Sequence, residues 1–152
     1  MKLIAHRGNT NGPNPETENC PQQIKNCIDQ GYDVEIDLRY DTSTNELWLG
    51  HDKPQYNISW YFLAENLHSL WIHCKDLTTL HEFSDRTSGY NYFWHQKDDH
   101  TLTSKKFIWS YPGQPHTSKS VIVMPEETNM SWDLLRVTNC YGICTDYVEK
   151  LK

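Results

Sequence analysis

Four short segments of the chain end an apolar run with side chains able to do chemistry. They read "LIAHRG" with His6 and Arg7, "DVEIDLR" with Glu35 and Asp37, "ELWLGHD" with His51 and Asp52, and "LWIHCKD" with His73 and Lys75. Residues two apart on a strand project from one face. Glu35 and Asp37 therefore share a face, about 7 Å apart along the strand, while Val34, Ile36 and Leu38 take the other. Burying two such carboxylates is costly unless a cation sits between them. Hard oxygen donors at this spacing suit Mg2+ or Ca2+. By the same rule His73 and Lys75 share a face, opposite Ile72 and Cys74. Taken singly, each segment has a plain alternative: an exposed polar edge, a satisfied histidine, a turn. Together they offer two imidazoles for proton transfer, carboxylates for a divalent cation, and a basic pair for an anion. Those are the parts needed to break a phosphate ester.

The elements that must position these groups alternate along the chain. Strands are expected over Lys2–Arg7, Asp33–Arg39 and Leu70–Lys75, with Glu46–Gly50 as a hairpin partner after a polar turn. A helix is expected from Pro21 to Gln30, with Asn19 or Cys20 near its cap, Ile24, Cys27 and Ile28 as its buried stripe, and Gly31 ending it. A second runs from Ser59 to about Asn66. A third carries Leu77, Leu80 and Phe83 and stops by Gly89. Later strands are expected over Tyr92–Gln96, Lys106–Tyr111, Ser120–Met124 and Tyr141–Asp146, with a short helix Trp132–Val137 after Ser131. The alternation implies an α/β chain with parallel strands, seven or eight in all. The segments 97–105 and 113–119 are too short and polar for crossover helices, so a reduced form of that architecture is expected. In parallel α/β folds functional groups gather at the carboxyl ends of strands.

With 152 residues and no repeat or linker, one domain is the expectation for residues 1–152. The net charge of −6 and the lack of a basic stripe argue against a nucleic-acid partner. No run approaches the ~20 apolar residues of a membrane span, nor a signal peptide, so a cytoplasmic location is expected. The five cysteines form no CxxC pair and read as free thiols.

The segments "IAHRG", "TEN", "GYDVEIDLRYDT" and "LWLGHD", in that order and spacing from Ile4 to Asp52, resemble the N-terminal signature of the glycerophosphodiester phosphodiesterase family. The late "YGICTDYV" is similar to that family's last strand. The resemblance implies a TIM-type (β/α) barrel and a metal-assisted phosphodiesterase. It makes His6 and His51 the acid–base pair, Arg7 a phosphate contact, and Glu35 and Asp37 metal ligands. Glu18 and Asn19 fall on the family's EN pair, with Glu18 close to the site as a ligand or an orienting group. Two departures stand out. His73 occupies the position where the family has a carboxylate, two before Lys75, which turns metal preference toward Mn2+ or Zn2+ or weakens metal binding. The chain is also about 100 residues shorter than a typical ~250-residue barrel, implying an incomplete barrel with several outer helices missing.

The expected activity is hydrolysis of a small glycerol- or sugar-phosphodiester, with Arg7 and Lys75 holding the phosphate and His73 or Glu18 as further metal-ligand candidates. The rivals are a phosphate- or glycan-binding module that has lost turnover, and a related lyase that forms a cyclic phosphate. Pocket candidates are Asn19, Asp52, His95, Gln96 and Trp109, with Trp94 and Gln96 on one strand face and Phe107, Trp109 and Tyr111 on another. The aromatic residues read equally as core. Glu126 reads as a histidine-orienting group or an ordinary loop residue, and Asp146 as a group able to face the site. Missing outer helices would leave apolar surface that favours a homodimer.

Overall fold

The computed structural model describes residues 1–85 and 89–152. The stretch 86–88, by whose end the third helix is expected to have stopped, lies outside the described residues.

In chain order the elements are β1 (Lys2–His6), α1 (Pro21–Asp29), β2 (Asp33–Asp41), β3 (Glu46–Leu49), β4 (Tyr56–Ile58), α2 (Trp60–Glu65), β5 (Leu70–Cys74), α3 (Leu77–Asp85), β6 (Asn91–Phe93), β7 (His100–Leu102), β8 (Ile108–Ser110), β9 (Ser120–Val123), α4 (Trp132–Val137) and β10 (Gly142–Thr145). Local chemistry sets the helix ends. Pro21 opens α1, where its missing N–H costs nothing, and Gly31 follows it at φ 87°, a conformation glycine adopts without a steric penalty. Ser59 and Ser131 cap α2 and α4, each side-chain oxygen accepting the N–H three residues on.

The strands form one sheet. Its parallel part runs β6-β5-β2-β1-β10-β9-β8. An antiparallel β3–β4 extension is added to the second half of β2, and antiparallel β7 to β8. The two ends of the parallel row meet. The rings of Phe93 on β6 and Trp109 on β8 lie 4.5 Å apart, and Ser104 N–H donates to the Tyr92 carbonyl at 2.8 Å. A sheet whose ends touch must be curled. The product is a mixed α/β sheet consistent with an incomplete barrel.

Alternation sorts the side chains into two layers. Ile4, Trp71, Phe93, Trp109, Val121, Val123 and Cys144 fill the concave side. Val34, Ile36, Leu38 and Ile72 pack outward with Ile24, Phe62, Leu63 and Phe83 of the first three helices. Ile122 and Ile143 pack with Leu135 of α4. Between β6 and β9 the described residues contain no helix, as the short, polar segments there imply.

Two expectations are corrected. The described residues hold ten strands, because β4 and β7, at three residues each, are too short to show a period. The strand expected over Tyr92–Gln96 ends at Phe93, so Trp94 and Gln96 do not lie on a strand face, and Phe93 is the inward residue. Cys20 is the cap of α1, one of the two residues expected near it, and makes no side-chain capping bond. All five cysteines are free, with Cys27, Cys74 and Cys144 buried. Among the described residues no helix is long and apolar enough to cross a membrane.

Candidate active site

The residues singled out on four separate segments come together. His6, Arg7, Glu18, Glu35, His51, His73, Lys75 and Asp146 line one cavity of about 640 Å3 at the carboxyl ends of the parallel strands. Strand register brings them there. His6 lies beside Glu35, and Asp37 beside His73.

Glu35 and Asp37 are buried. A buried carboxylate is tolerated only if paired and hydrogen-bonded, and both are. Asp37 Oδ2 accepts from Asn19 Nδ2 at 2.9 Å and pairs with Arg7 Nε at 3.1 Å. Its Oδ1 lies 3.2 Å from Lys75 Nζ and 3.4 Å from His73 Nδ1. Glu35 Oε2 accepts from the Arg7 backbone N–H, and Oε1 lies 3.6 Å from His73 Nδ1. Burial works to raise the Asp37 pKa, but His73, Lys75 and Arg7 together drive it well below the carboxylate range. Burial works to lower the His73 pKa, and the two carboxylates overcome it, raising the value to about 9. Burial likewise opposes the Arg7 charge, which Asp37, Glu35 and Glu18 outweigh.

Glu35, Asp37 and His73 each present one ligand atom, all within 4.8 Å of one another. The three residues could hold a metal ion. Asp37 Oδ1 is buried with no hydrogen bond satisfied, so an acceptor already stripped of water faces the centre of the cluster. Glu18 is not part of this cluster. Its carboxylate accepts from Arg7 Nη1 at 3.2 Å and from Asn9 Nδ2 at 3.1 Å, which makes it an orienting group.

His6, beside Glu35 in the sheet, is held by a further carboxylate. Its Nδ1 lies 2.8 Å from Asp146 Oδ1, which also accepts from Asn9 Nδ2 at 2.8 Å. Asp146 is steadied in turn by Glu126, whose carboxylate accepts the Asp146 N–H at 2.9 Å and the Thr145 hydroxyl at 2.8 Å. With Nδ1 engaged, Nε2 is the nitrogen left for a bound molecule. Burial works to lower the His6 pKa, but the Asp146 hydrogen bond and the Glu35 charge raise it on balance. Burial pushes the Asp146 pKa up, and His6 and Asn9 hold it down.

His51 follows Gly50 in a turn that only glycine fits. A Cβ at Gly50 would come within 2.0 Å of the Lys53 carbonyl oxygen, at φ 148°. Arg39 clamps the turn by donating to the Gly50 and His51 carbonyls at 3.1 and 2.6 Å. His51 Nδ1 lies 2.7 Å from Asp52 Oδ1, so Nε2 is again the free nitrogen. Arg7, Asn19 and Met124 all take positive φ without being glycine. Such conformations cost about 1–3 kcal/mol each and collect at functional sites.

The cavity lining also includes Trp94, His95, Gln96, Trp109 and Tyr111. Two expected pocket residues do not line the cavity. Asn19 is fully buried behind it, exchanging hydrogen bonds with Asp37 through both amide atoms. Asp52 points into solvent, its side chain 92% exposed. Asn9 was not anticipated, because an asparagine in a Gly/Asn/Pro loop reads as a turn residue. Comparison of the chain with protein-family models, curated proteins and solved structures finds no match.

The arrangement offers paired proton-transfer groups, a cation-binding cluster and two guanidinium or ammonium groups on one cavity.

Proposed function

We propose that this chain is a metal-dependent phosphodiester hydrolase on a reduced TIM-type barrel, of the kind the glycerophosphodiester phosphodiesterase resemblance implies. The observation that carries the reading is the meeting of His6 and His51 with Glu35 and His73 on one cavity, Asp37 being clustered with the last two. Each imidazole has Nδ1 tied to an aspartate and Nε2 free, the state of a group set to give or take a proton. One removes the proton from the attacking oxygen, of water or of the substrate's own hydroxyl, and the other protonates the leaving oxygen. Arg7 and Lys75 line the same cavity and attract the phosphate. A divalent cation held by Glu35, Asp37 and His73 supplies charge neutralisation at a phosphate oxygen. The substrate class is a small glycerol- or sugar-phosphodiester.

The test is hydrolysis of a chromogenic phosphodiester by the full chain with Mg2+, Ca2+, Mn2+ or Zn2+, beside His6→Ala and His51→Ala. Turnover that needs a cation and falls in both variants supports the reading. A panel of diesters left intact under every cation ends it and favours a phosphate-binding module, a rival supported by the internal pairing of Asp37 with Arg7 and Lys75. Phosphorus NMR of the product separates hydrolysis from release of a cyclic phosphate.

A further inference from the structure

The identity of the cation can be read from three atoms. Glu35 Oε2 is committed to the Arg7 N–H, and Asp37 Oδ2 to Asn19 and Arg7. Each carboxylate keeps one oxygen turned to His73, at 3.6 and 3.4 Å from Nδ1. On its far side His73 Nε2 lies 3.0 Å from the His95 carbonyl oxygen. A carbonyl only accepts, so Nε2 carries the hydrogen, and in the neutral ring Nδ1 carries the lone pair. That is the arrangement of a histidine metal ligand: one nitrogen for the ion, the other donating to a backbone carbonyl. The loop presenting that carbonyl is itself anchored. His95 Nε2 lies 2.6 Å from the Asp98 carbonyl oxygen, and Thr101 Oγ1 donates to the Trp94 carbonyl at 2.9 Å. A supporting sign is Asp37 Oδ1, buried and aimed at the cluster, ion-paired with Lys75 and His73 at 3.2 and 3.4 Å but left without a hydrogen bond.

We propose that Glu35, Asp37 and His73 form a two-oxygen, one-nitrogen site that selects Zn2+ or Mn2+ over Mg2+ and Ca2+. The phosphodiesterase reading gives this ion its purpose, while the site itself rests on the geometry alone. An imidazole nitrogen is a good donor to first-row transition ions and a poor one to hard alkaline-earth ions. Lys75 Nζ, 3.2 Å from Asp37 Oδ1, competes for the same oxygen. A weakly held hard ion loses that competition first, and Mg2+ also gives up its water reluctantly.

The experiment titrates chelator-treated full chain with Zn2+, Mn2+, Mg2+ and Ca2+ by calorimetry, for wild type and His73→Glu. Wild type is expected to bind Zn2+ and Mn2+ at least about tenfold more tightly than Mg2+, and His73→Glu to narrow that ratio. In nitrogen-15-labelled wild type, Zn2+ is expected to shift His73 Nδ1 and leave the Nε2 hydrogen in place, a readout that stands if the variant fails to fold. No cation bound, Mg2+ or Ca2+ bound as tightly as Zn2+, an unchanged ratio in the variant, or a Zn2+ shift on another histidine overturns the proposal. Zn2+ on His73 Nδ1 without hydrolysis of any diester sinks only the phosphodiesterase reading. Hydrolysis with Mg2+ while His73 Nδ1 stays unmoved by Zn2+ sinks only the selectivity.

Discussion

His6 Nδ1 lies 2.8 Å from Asp146 Oδ1, joining the end of the first strand to the end of the last across 140 positions of chain. Removing the imidazole in His6→Ala is expected to lower kcat/KM on a diester by about 10²–10⁴. Asp146→Asn keeps the imidazole but removes the charge that raises its pKa. The limb of the pH–rate profile that reports His6 then moves to lower pH, which rate profiles of the two proteins measure directly.

The same pair makes stability depend on pH. The His6 pKa is raised, so its contribution is full below the ordinary value of 6.5 and is lost as pH rises through the folded value. The Asp146 pKa is lowered, so its contribution is present above the ordinary value of 3.8 and is lost as pH falls through the folded value. The pair therefore stabilises most between those two values. Urea unfolding of chelator-treated protein across this range should show Asp146→Asn losing most near the middle and least at either end.

Cation uptake should release a proton. Metal-free His73 stays protonated up to about 9, and an ion must take the nitrogen that carries the proton. Affinity is expected to rise about tenfold per pH unit below that value and to level above it. Calorimetry in buffers of different ionisation heat reads the proton count, which should be close to one near neutral pH.

Gly50→Ala tests the placement of His51. The added Cβ meets the Lys53 carbonyl at 2.0 Å, and the turn must shift. A displacement of about 1 Å there is expected to cost about 10² in kcat/KM, with a stability loss of only about 1–3 kcal/mol. Steady-state rates beside a thermal melt separate the two effects.

Phe93→Ala tests the curl. Phe93 is buried against Trp109 from the far end of the parallel row and stacks on His73. Its truncation is expected to cost about 3–5 kcal/mol in denaturant unfolding. A loss below 1 kcal/mol would mean that the two ends do not meet.

The parts of the site that follow from strand period alone could be read from the sequence. Alternation in "DVEIDLR" puts Glu35 and Asp37 on the concave side and Val34, Ile36 and Leu38 under the helices, and His73 follows the same rule. Serine caps and the proline and glycine around α1 mark helix ends with equal clarity. What depends on contacts across the fold could not be read. Asn9 acts only because β1 and β10 lie side by side, and nothing in its neighbouring residues signals it; Glu126, readable as an orienting or a loop residue, reaches Asp146 because β9 and β10 pair. Asn19 sits where a pocket residue is expected, yet its amide is used up beneath the cavity floor by Asp37. The β4 and β7 strands take their form from the neighbours they pair with.

The charges gathered around Asp37 also bear on how ion and ester share the cavity. Glu18, Glu35 and Asp37 outnumber Arg7 and Lys75 by a single negative charge, which protonated His73 cancels. Asp146 and Glu127 add two further carboxylates to the same cavity, so without an ion this group of charges has little pull on an anionic ester. Exchanging that proton for a doubly charged ion adds positive charge. On the phosphodiesterase reading, ion and ester should therefore each tighten the binding of the other.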